Sequence, residues 1–415
     1  MATAKKMGHE ITFVTSETFA SAYASNQAFD ELAAQLDRMV KMENSCDAQE
    51  LRKVLDEIHG QWPVDALIGL HDEVVQTLAP VAQDMGIRFT DPSGVANARD
   101  KPRARELMAA AGLRGLEHEV VDDVRELPDA VRRIGFPAVV KPAAGSASIA
   151  AAIVRGPADI DLALRRIEEA DAWMSSAHKA AFQGRFVVER YLDGPLMSIE
   201  IAALDGVRTP LAVLERRRYG ADEIMELGSI APARLSPGQD RTVRAYAQGV
   251  LAALGLDFGI FHIEVIVMDE GPCLIDPNPR LIGGPAPLLI KECWGIDLHE
   301  ELINVFLGKP VAQPPSRPHR QGAVHILAPA ADADVREGAD PSFLDAEPQV
   351  VHWAFRAEPG QRIRQATSNF HYIGHVLAVA DTCLEAAETC IGSVTKLAEV
   401  TGVPMITWAP LTPDE

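Results

Sequence analysis

Two apolar runs, Gly259 to Met268 and Pro272 to Asn278, flank Asp269-Glu270-Gly271 and read as an antiparallel hairpin. If the loop holds those three residues, Glu264 lies opposite Asp276. Asn278, two positions on, then shares the Asp276 face, because strand side chains alternate. Three oxygen donors converge in that register, and hard oxygens of this kind suit Mg²⁺, which keeps several waters and is commonly completed by nucleotide phosphates. Arg280 leaves the strand just beyond, where a planar cation can hold a phosphoryl group or a carboxylate. An exposed hairpin with scattered carboxylates and a turn at Pro277 to Pro279 fits the same residues.

Upstream, the chain alternates strand and helix. Ile11 to Thr15 and Ala66 to Leu70 read as short strands, and Ala28 to Met42 and Glu73 to Met85 as helices, which implies a small parallel α/β domain over 1–95. A turn at Thr90 to Gly94 precedes a helix from about Lys101 to Ala111, ended by Gly112. Strand Pro137 to Pro142, a loop of small residues, Ala143 to Ser148, and Ile149 to Val154 follow; a helix over Asp159 to Ala170 and a strand over Phe186 to Glu189 complete a small subdomain, about 125–195. Strand-forming sequence over Ile199 to Leu214, a helix over Arg241 to Leu254 and the hairpin carry a core that spans 96–310. Beyond the proline-rich stretch at 309–315, residues 311–415 read as a closing α/β segment.

The 415 residues carry 39 basic and 59 acidic side chains, a formal charge of -20. Sequence-independent binding to nucleic acid or to an anionic membrane works against that repulsion, although a local basic cleft does not. The five cysteines form no CxxC pair, and no stretch looks like a secretory leader or a membrane span, so a cytoplasmic setting is expected. Lys141 ends an apolar strand before the small-residue loop that contains Ser146. Such a loop lets backbone N–H groups approach phosphate oxygens while a lysine supplies the point charge; a plain turn with a surface lysine reads the same. Val187-Val188-Glu189-Arg190-Tyr191-Leu192 runs into a glycine turn that can offer backbone groups to an adenine edge.

In this order, a helix over Asn97 to Met108 containing Asp100-Lys101, VVKP with its loop, VVERYLDGP, and FHIEV closing on LIDPNPRLIGG, the elements resemble the ATP-grasp superfamily. The likeness covers roughly residues 97 to 310. It implies an ATP-grasp fold, two antiparallel subdomains clamping ATP, behind an N-terminal parallel α/β domain. By that resemblance Lys101, Lys141 and Ser146 of the loop serve the phosphates, Glu189 with Tyr191 and Leu192 binds adenine, and Glu264, Asp276 and Asn278 hold Mg²⁺, or Mn²⁺ in its place. Within the superfamily, the closing motif and Met225 to Pro232 look like L-amino acid ligases. This implies that Glu226 sits near the metal or the amine, and that Arg280 with the backbone of Gly283 and Gly284 steadies an acyl phosphate. Three departures stand out: Asp276 where many members carry glutamate, alanine and serine in place of most of the family's glycines in the loop after Lys141, and Ser229 where the L-amino acid ligases often have histidine.

The implied reaction is ADP-forming: a carboxylate is phosphorylated and an amine, an amino acid for choice, displaces phosphate. Partners are then small carboxylates and amines, without nucleic acid or membrane, and a homodimer is common for this architecture. Two alternatives remain, a bicarbonate-activating carboxylase or carbamoyl-phosphate-type enzyme and a catalytically inactive ATP-binding regulatory protein. Arg216-Arg217-Arg218 reads as a solvated loop or as a loop closing over an anion. His371 and His375 sit at a helical metal spacing but in strand-like sequence, and Cys383 and Cys390 are expected to face the core of a helix.

Overall fold

The computed structural model describes residues 1–16, 33–34, 36–145, 149–173, 184–220, 222–369 and 371–411. The chain opens with α1 (Ala2–Lys6), β1 (Thr12–Ser16), β2 (Arg38–Met42), α2 (Ala48–Gln61) and α3 (Asp72–Asp84). β1 and β2 pair in parallel, as a small α/β unit requires. Two expectations fail here. Arg38–Met42 is a strand, not the end of a helix, its side chains alternating in exposure as Arg-Met-Val-Lys-Met does in type, while 28–32 and 35 lie outside the described residues. Residues 66–70 are unpaired: Ile68 and Leu70 face solvent and Val75 packs against Gly69.

Two capped helices, α4 (Pro92–Arg99) and α5 (Lys101–Ala110), replace a single helix at 97–108. Asp100 breaks it, extended at φ -97°, ψ 100°, and caps α5 by accepting from the Arg103 N–H. The next unit is β3 (His118–Val121), α6 (Leu127–Ile134), β4 (Ala138–Pro142), β5 (Ala152–Val154), α7 (Ile160–Trp173) and β6 (Phe186–Arg190). Its sheet, β3-β6-β4-β5, is antiparallel throughout.

The main sheet is built from β7 (Leu196–Leu204), β8 (Val207–Tyr219), β9 (Asp222–Ala231), then after α8 (Pro237–Leu254) from β10 (Gly259–Met268) and β11 (Gly271–Asn278). α9 (Ala286–Trp294) and α10 (Leu298–Phe306) follow, and β12 (Gln321–Ile326), β13 (Val350–Phe355), β14 (Gly374–Ala380) and α11 (Cys383–Thr401) close the chain. The strand order β11-β10-β7-β8-β9-β12-β14-β13 shows that the closing segment shares this sheet with the core. Cys383 and Cys390 are buried on α11, and His375 lies in β14.

α8 covers one face of the sheet. Ser236 caps it in a capping box with Gln239, Gly255 ends it in the left-handed region, and Val243, Tyr246, Ala247, Val250, Leu251 and Leu254 form its buried stripe against Ile199, Ile201 and Phe261. α9 and α10 cover one end of the other face, over Ala202, Leu204 and Ile260. β7 is therefore buried along its whole length, which is why LMSIEIAAL does not alternate in polarity. Opposite-face residues at the far end of the strands, Leu196, Glu264 and Ile266, look toward the small sheet instead. The N-terminal unit is fixed beside α8: Asn97 Nδ2 donates to the Leu254 carbonyl (3.1 Å), and a Cβ on Gly94 would stand 2.3 Å from the Gly255 carbonyl oxygen.

His325 of β12 is buried, its Nδ1 2.8 Å from the Ile326 carbonyl oxygen and its ring stacked on Trp408 at 4.3 Å. Burial pulls its pKa down to about 4. The unfolded chain, near 6.5, takes the proton first, so stability is lost as pH falls from about 6.5 toward 4. Urea midpoints measured from pH 7.5 to 4.5 are expected to fall less steeply in His325→Gln than in the native protein.

Candidate active site

The cap at Asp100 starts α5 so that Lys101 and Arg105, one turn apart, share a buried face. The Lys101 N–H docks on the Ala143 carbonyl (3.0 Å), and its Nζ reaches Asp276 Oδ1 at 3.1 Å. Arg105 donates through Nε and Nη2 to Glu189 Oε1 (3.1 and 2.9 Å) and through Nη2 to the Ile275 carbonyl (2.8 Å). Lys141, on β4 diagonal to Glu189 on β6, reaches Glu189 Oε2 at 2.7 Å and the same Ile275 carbonyl at 3.2 Å. Burial pushes the Glu189 carboxyl up, but Arg105 and Lys141 outweigh it and bring it down to about 2. Glu189 is thus an anionic strut between two cations.

In the hairpin Glu264 does pair with Asp276, by a different route from the one expected. The loop holds two residues, since Met268 pairs with Gly271, and a bulge at Ile275 then shifts the register by one. Glu264 Oε1 lies 3.0 Å from His262 Nε2, and His262 Nδ1 lies 2.6 Å from Glu200 Oε1, on the neighbouring strand. Burial pulls the imidazole pKa down, but the Glu200 and Glu264 carboxylates outweigh it and lift it to about 9, so both ring nitrogens donate at neutral pH. Glu200 Oε2 also accepts from the Ile282 N–H (3.3 Å). Burial raises the Asp276 carboxyl, and Lys101 and Lys141 more than reverse this.

Arg216, Arg217 and Arg218 are not a loop. They lie half-buried on β8, where strand pairing sets each against β9. Arg216 donates to Ser229 Oγ (2.8 Å) and through Nε and Nη2 to Glu226 Oε2. Arg218 pairs with Glu223 (3.1 Å), which also accepts from Tyr191 Oη (2.8 Å).

A cleft between the small and main sheets holds about 970 Å³ of empty space, part of it open to solvent. Of the expected residues it brings together Lys101, Lys141, Glu189, Tyr191, Leu192, Glu226, Glu264 and Asp276, beside an apolar wall that includes Val139, Ile153, Leu196 and Ile266. Asn278 is buried, its amide engaged with the His262 carbonyl and Arg280, and does not line the cleft. Arg280 is tied to Asp72, and Gly283 and Gly284 are exposed in the turn beyond. Ser146 lies outside the described residues. Sequence reasoning missed Arg105, Glu200, His262 and Asp72.

Sequence profiles match three consecutive parts: an ATP-grasp N-terminal domain over residues 1–87, an ATP-grasp domain over 134–287, and an L-amino acid ligase C-terminal domain over 325–401. The chain belongs to the ATP-grasp superfamily. Within it the chain resembles the L-amino acid ligases. The protein y4rH of Sinorhizobium fredii is 27% identical over 318 residues, 76% of this chain and 63% of its own length. Alanine–anticapsin ligase of Bacillus amyloliquefaciens is 24% identical over 271 residues, 62% of this chain and 56% of that protein. The chain therefore spans less than two thirds of either relative. The crystal structure of an L-amino acid ligase from Bacillus licheniformis superposes with a TM-score of 0.75 at 18% identity, covering 98% of this chain and 94% of that one.

The ATP-grasp cleft suits a divalent cation held jointly with a ligand. Among the described residues no group of three or more His, Cys, Asp or Glu side chains forms a metal cage. Glu264 and Asp276 offer two carboxylates side by side with side-chain exposures of 14% and 22%, a set that fits Mg²⁺ completed by phosphate and water oxygens. The hydrogen bond from His262 orients one of these carboxylates.

The Arg105–Glu189 pair can be tested by itself. Replacing Arg105 with Met leaves Glu189 buried with Lys141 as its remaining cation, and is expected to cost about 3 kcal/mol in chemical denaturation. Adding Glu189→Gln is expected to restore part of that loss.

Proposed function

We propose that this ATP-grasp protein is an ADP-forming ligase that activates a small carboxylate as its acyl phosphate and joins it to an amine, with amino acids as the substrate class. The observation that carries this reading is the pairing of Glu264 with Asp276 at the cleft, with Lys101 and Lys141 beside them. The chemistry joins two anions, so positive charge must meet both the polyphosphate and the charge that develops in line with it.

Lys101 and Lys141 supply point charges on the phosphate side, each already desolvated, so little solvent reorganisation accompanies closure. Val139 and Ile153 on the small sheet and Leu196 and Ile266 on the main sheet suit the two faces of a purine. At its edge the Tyr191 N–H is committed to the Pro137 carbonyl (3.1 Å), which leaves the Leu192 backbone to meet the base. Glu264 and Asp276 would hold Mg²⁺, which supplies Lewis-acid neutralisation of phosphoryl oxygens. An oxygen of the acid substrate attacks the γ-phosphorus and ADP leaves. The amine nitrogen then attacks the acyl carbon, inorganic phosphate leaves, and one proton is released. Arg280, within electrostatic reach of Glu264 and Asp276, would steady the charge of the acyl phosphate. Glu226, paired with Arg216 and lining the cleft, is the acidic group for the amine.

The match to an L-amino acid ligase C-terminal domain supports amino acids over bicarbonate. Ser229 Oγ accepts from Arg216, the guanidinium that also holds the cleft-lining Glu226, so the residue at 229 is expected to alter which side chains enter by way of that pair. The test is an ADP-release screen over pairs of amino acids, with mass detection of the product. Ligated product with stoichiometric ADP is expected; ADP release with bicarbonate alone, or Mg²⁺-ATP binding without turnover on any pair, overturns the reading. Glu264→Gln or Asp276→Asn is expected to lower turnover roughly 100-fold or more in protein that still folds, as circular dichroism at room temperature checks.

A further inference from the structure

We infer that Asp72, from the N-terminal domain, is a positioning residue that sets where the Arg280 guanidinium meets the transferring phosphoryl group. This rests on the ligase reading above. Asp72 opens α3, where the helix N-terminus favours an anion, and is 3% exposed. Its Oδ2 accepts from Nε (2.8 Å) of Arg280, 208 residues away in sequence, and lies 2.7 Å from Nη2 in the same ion pair. Arg280 Nη1 donates to its neighbour's carbonyl, Leu281 (3.0 Å), and Nη2 reaches Asn278 Oδ1 (3.4 Å).

A guanidinium carries five N–H groups in one plane. Each of its three nitrogens donates to the protein, so the plane is fixed and an N–H of Nη1 remains to face a ligand. Arg99, 4% exposed, stands on the other side of the carboxylate, its Nη1 3.5 Å from Asp72 Oδ1. The carboxylate is thereby wedged between two cations and cannot swing away from Arg280. Asp72 is buried beneath Arg280, whose side chain keeps 17% of its surface exposed, so it acts through Arg280 and not on the substrate directly. Electrostatic preorganisation of this kind strengthens binding of a transferring phosphoryl group more than binding of the nucleotide left behind.

The test is calorimetric and needs no knowledge of the acid or amine. Affinity for Mg²⁺-ADP is measured with and without aluminium fluoride, a mimic of the phosphoryl group in transfer, for the native protein, Asp72→Asn, Arg280→Met and the double variant. Asp72→Asn is expected to keep Mg²⁺-ADP affinity within about twofold and to lose roughly tenfold in the aluminium fluoride complex, the size of effect that outer-shell partners commonly show. The double variant is expected to match Arg280→Met alone. A native protein that gains nothing from aluminium fluoride overturns the phosphoryl-transfer reading itself. A native protein that gains, beside an Asp72→Asn that gains equally, overturns only the role of Asp72. Should Asp72→Asn fail to fold because it strands buried cations, the double variant removes one of them; a further loss there relative to Arg280→Met contradicts the inference, and equality upholds it.

Discussion

The carbonyl of Ile275 is the point on which the site turns. Because Ile275 is the extra residue of a bulge, its oxygen is not consumed by the β10–β11 ladder. It accepts instead from Arg105 on α5 and Lys141 on β4, so one backbone atom ties the hairpin to a helix and to the small sheet. The same bulge sets the chemistry. A two-residue loop carried through without it would put Glu264 opposite Ile275 and turn Asp276 to the other face. One inserted residue therefore both aligns the carboxylates and frees the acceptor that holds the two cations beside them.

The cleft resolves the tension between a chain of charge -20 and a polyanionic ligand. Each cation near it is held by a carboxylate of the protein: Lys101 by Asp276, Lys141 and Arg105 by Glu189, Arg216 by Glu226, Arg280 by Asp72. Buried charges persist only when paired, so before a ligand enters the site is balanced internally. His262 extends the pattern on the metal side, a cation between Glu200 and Glu264.

The hairpin, the two lysines and the glutamates of the cleft were legible in sequence because each sits in a short local motif. The register was reached through a compensating error, a loop one residue too long standing in for the bulge, since nothing in Leu274-Ile275-Asp276 marks an unpaired residue. Arg105 could have been found: Lys101, Arg105 and Met108 fall on one helical face, and two cations on the stripe that carries a buried methionine require buried partners. Glu200 had a similar mark, a lone acid inside the apolar run LMSIEIAAL. Asp72 had none. Its partner lies 208 residues away, and at a helix start it looks like ordinary first-turn chemistry. The strand at Arg38–Met42 was missed because a five-residue alternation is short and polar at its ends, and Ala66–Leu70 was overread because an apolar run alone does not supply a neighbouring strand.

The two flanking units are joined to the main sheet by different physics. The N-terminal unit makes buried, close contacts: Thr90 to the Phe258 carbonyl, Asn97 to the end of α8, Gly94 against Gly255, and Asp72 on Arg280. The small sheet meets the tip of the β8–β9 hairpin through Arg155 to Glu223 and Arg166 to Asp222, pairs with one partner half or a third exposed. Exposed ion pairs are each worth about 0–1 kcal/mol and are screened by salt, whereas separating the buried contacts would strand polar groups without water. The wall carrying Lys141, Val139 and Ile153 is therefore the less costly to displace at that hairpin tip, while Lys141 ties it to the Ile275 carbonyl at the other end. The one carrying Asp276, Glu264 and the Asp72-held Arg280 is the fixed reference against which the reacting groups are aligned.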